Sequence, residues 1–257
     1  MEVNLINYQE DALAILLYTK NTRLQGSQSL EDIKAWPMEK QLEELGYMRD
    51  TIKSSWEFAT YIFEIKGVTR AFTHQLVRTR TASYAQESMR SGDVSDHEWL
   101  TPRMDEESID AEVLLSLFDS SIKNSMGAYS ELIDAGMPIQ DARGLIPTNI
   151  KTSIIMGCNL RTLHQMAETR LCVRTQGEYQ DVFREMRKKV VEVHPWAEDF
   201  IQVFCANHGT CCFPRYDKCP IKKNTVTVSE HDRFRIKTLW ERERHEAVVE
   251  AKDGRSM

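Results

Sequence analysis

Two rhythms organise the apolar residues of this chain. From Trp56 to Ile65 the run WEFATYIFEI is dense in aromatic and β-branched residues and predicts a strand. Gly67 interrupts it, and Val68, Phe72 and Leu76 then recur at helical spacing, which predicts a short helix bringing Gln75 and Arg78 to its end. Between Asp105 and Ala135, Ile109, Val113, Leu117, Ile122, Tyr129 and Leu132 keep a roughly helical interval; acidic residues open the segment, and Gly136 and Pro138 close it. Ile150 to Cys158 alternates, with Ile150, Ile154 and Met156 on one face, and predicts a second strand. Helices are expected from about Leu160 to Leu171 and from about Glu178 to Val193, the second stopped near His194-Pro195. Strands and helices mingle without a regular βαβ alternation, so the expected class is α+β.

One stretch follows neither rhythm. Arg78 to Arg90, RTRTASYAQESMR, concentrates three arginines, several hydroxyls, Gln86 and Glu87 in a short span. Arginine makes forked, charge-assisted bonds that suit a phosphate or a planar base edge. Ser88 stands two positions before Arg90, so a hydroxyl and a guanidinium can share one phosphate. Arg143 and Arg170 also fall at or next to expected element ends.

The overall balance argues against a nucleic-acid polymer as partner: Asp and Glu number 39 against 33 Lys and Arg, a formal net charge of −6. A local basic pocket for one small anion is compatible with it. The N-terminus is acidic with a short apolar run, unlike a signal peptide, and no run is long enough to span a bilayer. The expected compartment is the cytoplasm. A single catalytic domain over 1–220 is expected, with a charged extension, helical or disordered, over 221–257. In that setting Cys158, Cys172, Cys205, Cys211, Cys212 and Cys219 are expected to be reduced thiols. The last four, with His208, lack the C-x₂₋₄-C pair of common zinc sites, so no metal is expected.

The arginine stretch resembles the signature of flavin-dependent thymidylate synthases: Arg-His-Arg, seven residues, then Ser-x-Arg. Here it reads Arg78-Thr79-Arg80, TASYAQE, Ser88-Met89-Arg90. Upstream, WEFATYIFEIKGVTRAFTHQLVR looks like the family's strand and following helix. Downstream, DARGLIPTNIKTSIIMGCNLRTLHQMAETRLC looks like its Ala-Arg…Leu-x-Pro segment, its Asn-x-Arg pair and its closing Arg-Leu. The similarity spans roughly Ser54 to Val193.

The resemblance implies an α/β-type mixed sheet with long flanking helices, assembled as a homotetramer with active sites at subunit interfaces. It implies conversion of dUMP to dTMP with FAD as cofactor and NADPH and methylenetetrahydrofolate as co-substrates. Gln75, Leu76, Val77, Arg78, Gln86, Glu87, Ser88, Met89, Arg90 and Arg143 would bind the nucleotide, with Arg170 on the pyrimidine ring as the catalytic residue. Ser54, Glu57, Arg78, Thr79, Arg80, Gln86, Asn159, Arg161 and Gln165 would hold the flavin. Three departures fall on the flavin side: Thr79 replaces the central His, Ile52 stands where a His is frequent, and Gln165 replaces His or Asn. The motif does not choose between uracil and cytosine. A relative that alkylates or hydroxymethylates dUMP or dCMP, and a nucleotide-binding relative without catalysis, are the alternatives.

Overall fold

The computed structural model describes residues 1–51, 53–102, 110–211 and 219. Ile52, the Asp105–Ile109 start of the expected long helix, Cys212 and the 221–257 extension lie outside the described residues. In chain order the elements are β1 (Glu2–Tyr8), α1 (Ala12–Arg23), α2 (Leu30–Lys34), α3 (Met38–Thr51), β2 (Thr60–Thr69), α4 (Arg70–Leu76), β3 (Ser83–Gln86), α5 (Ala111–Asp134), α6 (Ile139–Ala142), β4 (Lys151–Asn159), α7 (Leu160–Arg170), α8 (Gly177–Val193) and α9 (Phe204–His208). Three short 3₁₀ turns, Lys53–Phe58, Arg143–Leu145 and Pro195–Asp199, complete them. Helices and a four-stranded sheet together make this a mixed α/β fold. The chain divides into two compact units: Met1–Asn7 with Ile62–Gly157, and Tyr8–Tyr61 with Cys158 onward.

The first unit carries the sheet, in the order β1-β2-β4-β3. Strand β3 runs antiparallel to β4, with Ser83 opposite Gly157 and Gln86 opposite Ile154. Burial alternates along β4, placing Thr152, Ile154 and Met156 inside. Thr69 caps α4 by accepting the Phe72 N–H at 3.0 Å, and Arg70 and Ala71 donate to the carbonyls of Ile150 and Thr148. These bonds fix α4 and the arginine stretch behind it. On the other side of that stretch, Met89 and Val94 pack with Ile122, Met126 and Tyr129 of α5, and Tyr129 Oη donates to Asp93. Helix α5 ends in a Schellman motif: Met137 N–H reaches the Leu132 carbonyl, Gly136 N–H the Ile133 carbonyl, and Gly136 takes φ +91 at no steric cost.

Three expectations are corrected here. The aromatic run from Trp56 opens as the 3₁₀ turn Lys53–Phe58, and the strand is Thr60–Thr69. Adjacent Ser55 and Trp56 are both buried, which a strand facing one core cannot do; true alternation starts at Ala59. Gly67 does not break the strand but sits inside it at φ +65. Along α5, Val113 and Leu117 are exposed at 66% and 62%, so the inward stripe runs through Ile122, Met126 and Tyr129 instead.

The second unit is helical. Ala12, Leu13, Ala14, Leu16 and Leu17 form the buried stripe of α1. Ser29 opens α2 with a capping box in which its Oγ accepts the Asp32 N–H and the Asp32 carboxylate accepts the Ser29 N–H. Tyr179, Val182, Phe183, Met186 and Val190 form the buried face of α8. His194, which follows α8, accepts on Nδ1 from Tyr61 Oη at 3.1 Å, an assignment that leaves Nε2–H toward the Glu10 carbonyl at 3.4 Å.

Burial lowers the pKa of His194 below 6.5, and the Glu10 carbonyl only partly opposes it. Burial does the same to His164, whose Nδ1 faces the Phe200 carbonyl at 2.8 Å. A depressed histidine pKa means that the unfolded chain binds more protons as pH falls through 6.5. The stability contributed by the neutral rings is therefore present above that value and lost below it. The melting temperature is expected to fall between about pH 8 and about pH 5.5, and His194→Gln to shallow that fall. Calorimetry across that range checks it; a flat or inverted profile would contradict the sign.

Candidate active site

The end of α4 and strand β3 hold the arginine stretch as a braced loop. Tyr84 Oη donates to the carbonyls of Leu76 (2.8 Å) and Thr79 (3.0 Å), tying the strand to the helix end. Arg78 and Thr79 N–H groups close the turn on Gln75 and Leu76. The side chains of Leu76 and Met89 are buried, so any contact they make with a ligand goes through the backbone. Val77 is half-buried at the helix end, and Gln86 Nε2 donates to Thr73 Oγ1 at 2.6 Å. Ser88 Oγ accepts the Arg90 N–H at 3.2 Å, so the hydroxyl and the arginine share one turn.

Arg78, Arg80, Arg90 and Arg143 are exposed. Among the described residues, arginine ion pairs involve Arg49, Arg161, Arg184 and Arg187, and none of these four. In an acidic chain this is a local positive surface without internal neutralisation.

Glu87 is used differently. Its carboxylate faces His97 Nε2 (2.9 Å) and accepts from Ser153 N–H (3.0 Å) and Thr152 Oγ1 (3.1 Å). Burial pushes its pKa up, but these bonds together outweigh it and hold the carboxyl below the usual glutamate value. Arg70, at the start of α4, donates to the Glu87 carbonyl at 3.0 Å. Its pKa is lowered by burial first and by Arg143, while Glu87 opposes the shift. That repulsion puts Arg143, distant in sequence, within electrostatic reach of Arg70. Arg70 escaped the sequence reading, although a basic residue in a first helical turn, against the dipole, was a signal.

The second unit carries the remaining candidates. Ser54 Oγ accepts from Arg23 at 2.8 Å, and Arg161 pairs with Glu57 at 2.5 Å. Asn159 caps α7, its Oδ1 accepting the Thr162 N–H at 2.9 Å. Gln165 is exposed on the same helix, while neighbouring His164 is buried edge-on to Trp56. Arg170 ends α7 with its guanidinium 4.2 Å from the centroid of the fully buried Tyr179 ring. Gln180 Nε2 donates to the carbonyls of Leu171 and Cys172, pinning the turn just beyond. The Cys158 thiol is buried on β4 and burial pushes its pKa far up, the opposite of an activated nucleophile.

A family model described as thymidylate synthase complementing protein matches residues 4–196. A protein of Pyrococcus furiosus named flavin-dependent thymidylate synthase is 32% identical over 231 residues, covering 86% of this chain and 92% of the relative. The chain belongs to the flavin-dependent thymidylate synthase family. Relatives of the same name include one from Sulfolobus acidocaldarius, 28% identical with 90% of this chain and 85% of the relative covered. Another, from Geobacter sulfurreducens, is 37% identical over 144 residues, covering 56% of this chain and 61% of the relative. Within the family, the region of similarity takes in both the arginine stretch and the α7 residues. Among the described residues, no helix is long and apolar enough to cross a membrane.

Proposed function

We propose that this protein methylates C5 of dUMP to give dTMP, with FAD as cofactor and NADPH and methylenetetrahydrofolate as co-substrates. The observation that carries the reading is the set of exposed arginines, Arg78, Arg80, Arg90 and Arg143, that have no ion-pair partner among the described residues, in a chain of this family. Arg90, Arg143, Ser88 and Gln75 bind the phosphate and ribose, with Gln86 and Glu87 along the same loop. Arg170 faces the pyrimidine, where a guanidinium beside N3 and O2 stabilises negative charge developing on the ring. Tyr179 keeps that guanidinium in place.

The donor set suits FAD. Arg78 and Arg80, without an ion-pair partner among the described residues, offer cationic donors for a diphosphate, and Arg161 lies at the N-terminal turn of α7, where backbone N–H groups favour anions. Ser54, Glu57, Asn159, Gln165, Thr79 and Gln86 complete the residues that would hold it. When bound, FAD supplies the hydride chemistry that completes the methyl group. Val113, Leu114 and Leu117, exposed on one side of α5, support assembly into a homotetramer with active sites at subunit junctions.

The test is the full chain with dUMP or dCMP and all three co-reactants, with products read by mass spectrometry. Gain of a methyl group on dUMP supports the reading. A hydroxymethylated product, or turnover of dCMP alone, replaces it with the related alkylating chemistry; binding without product leaves a non-catalytic relative. Thr79 offers the flavin one hydroxyl where a histidine offers a ring, a difference of about one neutral hydrogen bond, or up to roughly tenfold in affinity. Thr79→His is therefore expected to tighten FAD binding by up to about that factor in fluorescence titration. Equal or weaker binding would show a pocket rebuilt around threonine.

A further inference from the structure

His97 has no part in that chemistry, yet its ring faces a member of the arginine loop. The segment that carries it is held from both sides. Before it, Asp93 Oδ1 accepts from the Ser95 N–H at 2.9 Å and from Tyr129 Oη at 3.2 Å, and the His97 N–H closes a turn on the Val94 carbonyl at 3.0 Å. Val94 is buried in the same cluster as Met89, the residue between Ser88 and Arg90. After it, the Lys151 N–H donates to the Glu98 carbonyl at 2.7 Å, and Trp99 pairs with Ile150. The imidazole is therefore presented from a fixed backbone at the start of β4.

The ring meets the Glu87 carboxylate, with Nε2 2.9 Å from Oε1. An ionised carboxylate only accepts, so Nε2 carries the proton in this bond. Oε2 is taken by the Ser153 N–H at 3.0 Å and the Thr152 hydroxyl at 3.1 Å. The backbone of Glu87 is held as well: its N–H donates to the Ser153 carbonyl at 3.1 Å, and its carbonyl accepts from Arg70. Each oxygen of this side chain thus has a partner within the protein. Without them the carboxylate would be a competitor. It stands three positions before Arg90 and beside Arg70, and a free anion there would pair with the cations that a phosphate needs.

We propose that His97 is a positioning residue for the nucleotide phosphate, holding the Glu87 carboxylate against β4 so that the arginines of the loop stay open to the anion. The inference rests on the phosphate role proposed for Arg90 and its loop. Three donors on one carboxylate also fix where the chain leaves Glu87, and with it the turn in which Ser88 Oγ accepts the Arg90 N–H. Ser153 and Thr152 hold one oxygen from β4, whereas His97 holds the other from outside the strands. The imidazole is thus the part of this arrangement that a substitution can remove with the sheet intact. Both side chains are partly exposed, Glu87 at 36% and His97 at 29%, so water screens the pair and moderates its effect.

The full chain and its variants are titrated with dUMP by calorimetry, and amide hydrogen exchange is followed over residues 86–91. His97→Ala is expected to weaken dUMP binding about five- to tenfold, to raise KM more than it lowers kcat, and to speed exchange over that segment. His97→Gln, which can still donate from its amide nitrogen, is expected to keep most of the affinity. Adding Glu87→Gln to His97→Ala removes the competing charge at nearly the same shape, and is expected to return affinity to within about twofold of the parent. A general loosening of the fold would not be repaired in that way. His97→Leu, which keeps apolar bulk, takes the place of His97→Ala if that variant melts well below the parent. With a parent that binds dUMP, unchanged affinity in the folded His97 variant would overturn the proposal, as would a double variant no tighter than the single one. A parent that binds no dUMP counts against the proposed function instead. Exchange over 86–91 then decides the hold of His97 on the loop: faster in the variant supports it, and unchanged exchange overturns it.

Discussion

Arg170→Ala is expected to lower turnover at saturating dUMP by roughly a hundred- to a thousandfold, the scale of losing one preorganised donor to a developing anion. Arg170 is assigned to charge that appears on the ring during reaction, so its loss should fall on kcat more than on nucleotide affinity. The geometry adds a second variant. The guanidinium lies 4.2 Å from the Tyr179 ring centroid, and Tyr179 is fully buried, so the ring holds the cation over its face. Tyr179→Leu retains apolar bulk but removes that face, and is expected to reduce kcat by a smaller factor with dUMP still bound. Arg170→Lys is expected to recover little, because an ammonium cannot present two donors in one plane. Steady-state kinetics over a dUMP series separates these effects. A rise in KM alone for Arg170→Ala would remove the residue from the chemistry.

What could be read from the sequence was set by how strongly burial follows a period. From Ile150 along β4 it follows closely: Ile150, Ile154 and Met156 are all buried where the alternation puts them, and α7 and α8 form over nearly the expected residues. The first fifty residues escaped because α1 is short, with its apolar residues bunched between Ala12 and Leu17, while α3 buries only Gln41, Leu45 and Met48. Strand β3 lies inside the arginine stretch, where half-buried Tyr84 and Gln86 alternate with exposed neighbours too polar to announce a strand. The exposed Val113 and Leu117 misled the reading of α5 because periodicity reports one apolar face without saying what covers it.

The candidate site divides along the same line. Its arginines were legible as a dense local motif, whereas their surroundings depend on contacts distant in sequence. Arg70 reaches the Glu87 carbonyl from the start of α4, and Thr152 and Ser153 bond the Glu87 carboxylate from β4.

Arg90→Ala and Arg143→Ala are expected to weaken dUMP binding by roughly ten- to a hundredfold each, the range for losing a charge-assisted bond to phosphate. Both guanidinium groups are exposed, and among the described residues neither has an ion-pair partner, so their removal strands no carboxylate. Folding stability should accordingly change little, which separates this loss from a structural one. Arg90 shares its turn with the Ser88 hydroxyl, whereas Arg143 stands close enough to Arg70 to repel it. Losing Arg143 relieves that repulsion, so part of its contribution can be taken over by Arg70 and its variant should be the milder of the two. Turnover at saturating dUMP is expected to stay within a small factor of the parent in both, in contrast to Arg170→Ala. Calorimetric titration of dUMP against parent and variants, beside their melting curves, decides the matter. Unchanged affinity in both variants would mean that the phosphate is held elsewhere, and that the exposed arginines serve another anion.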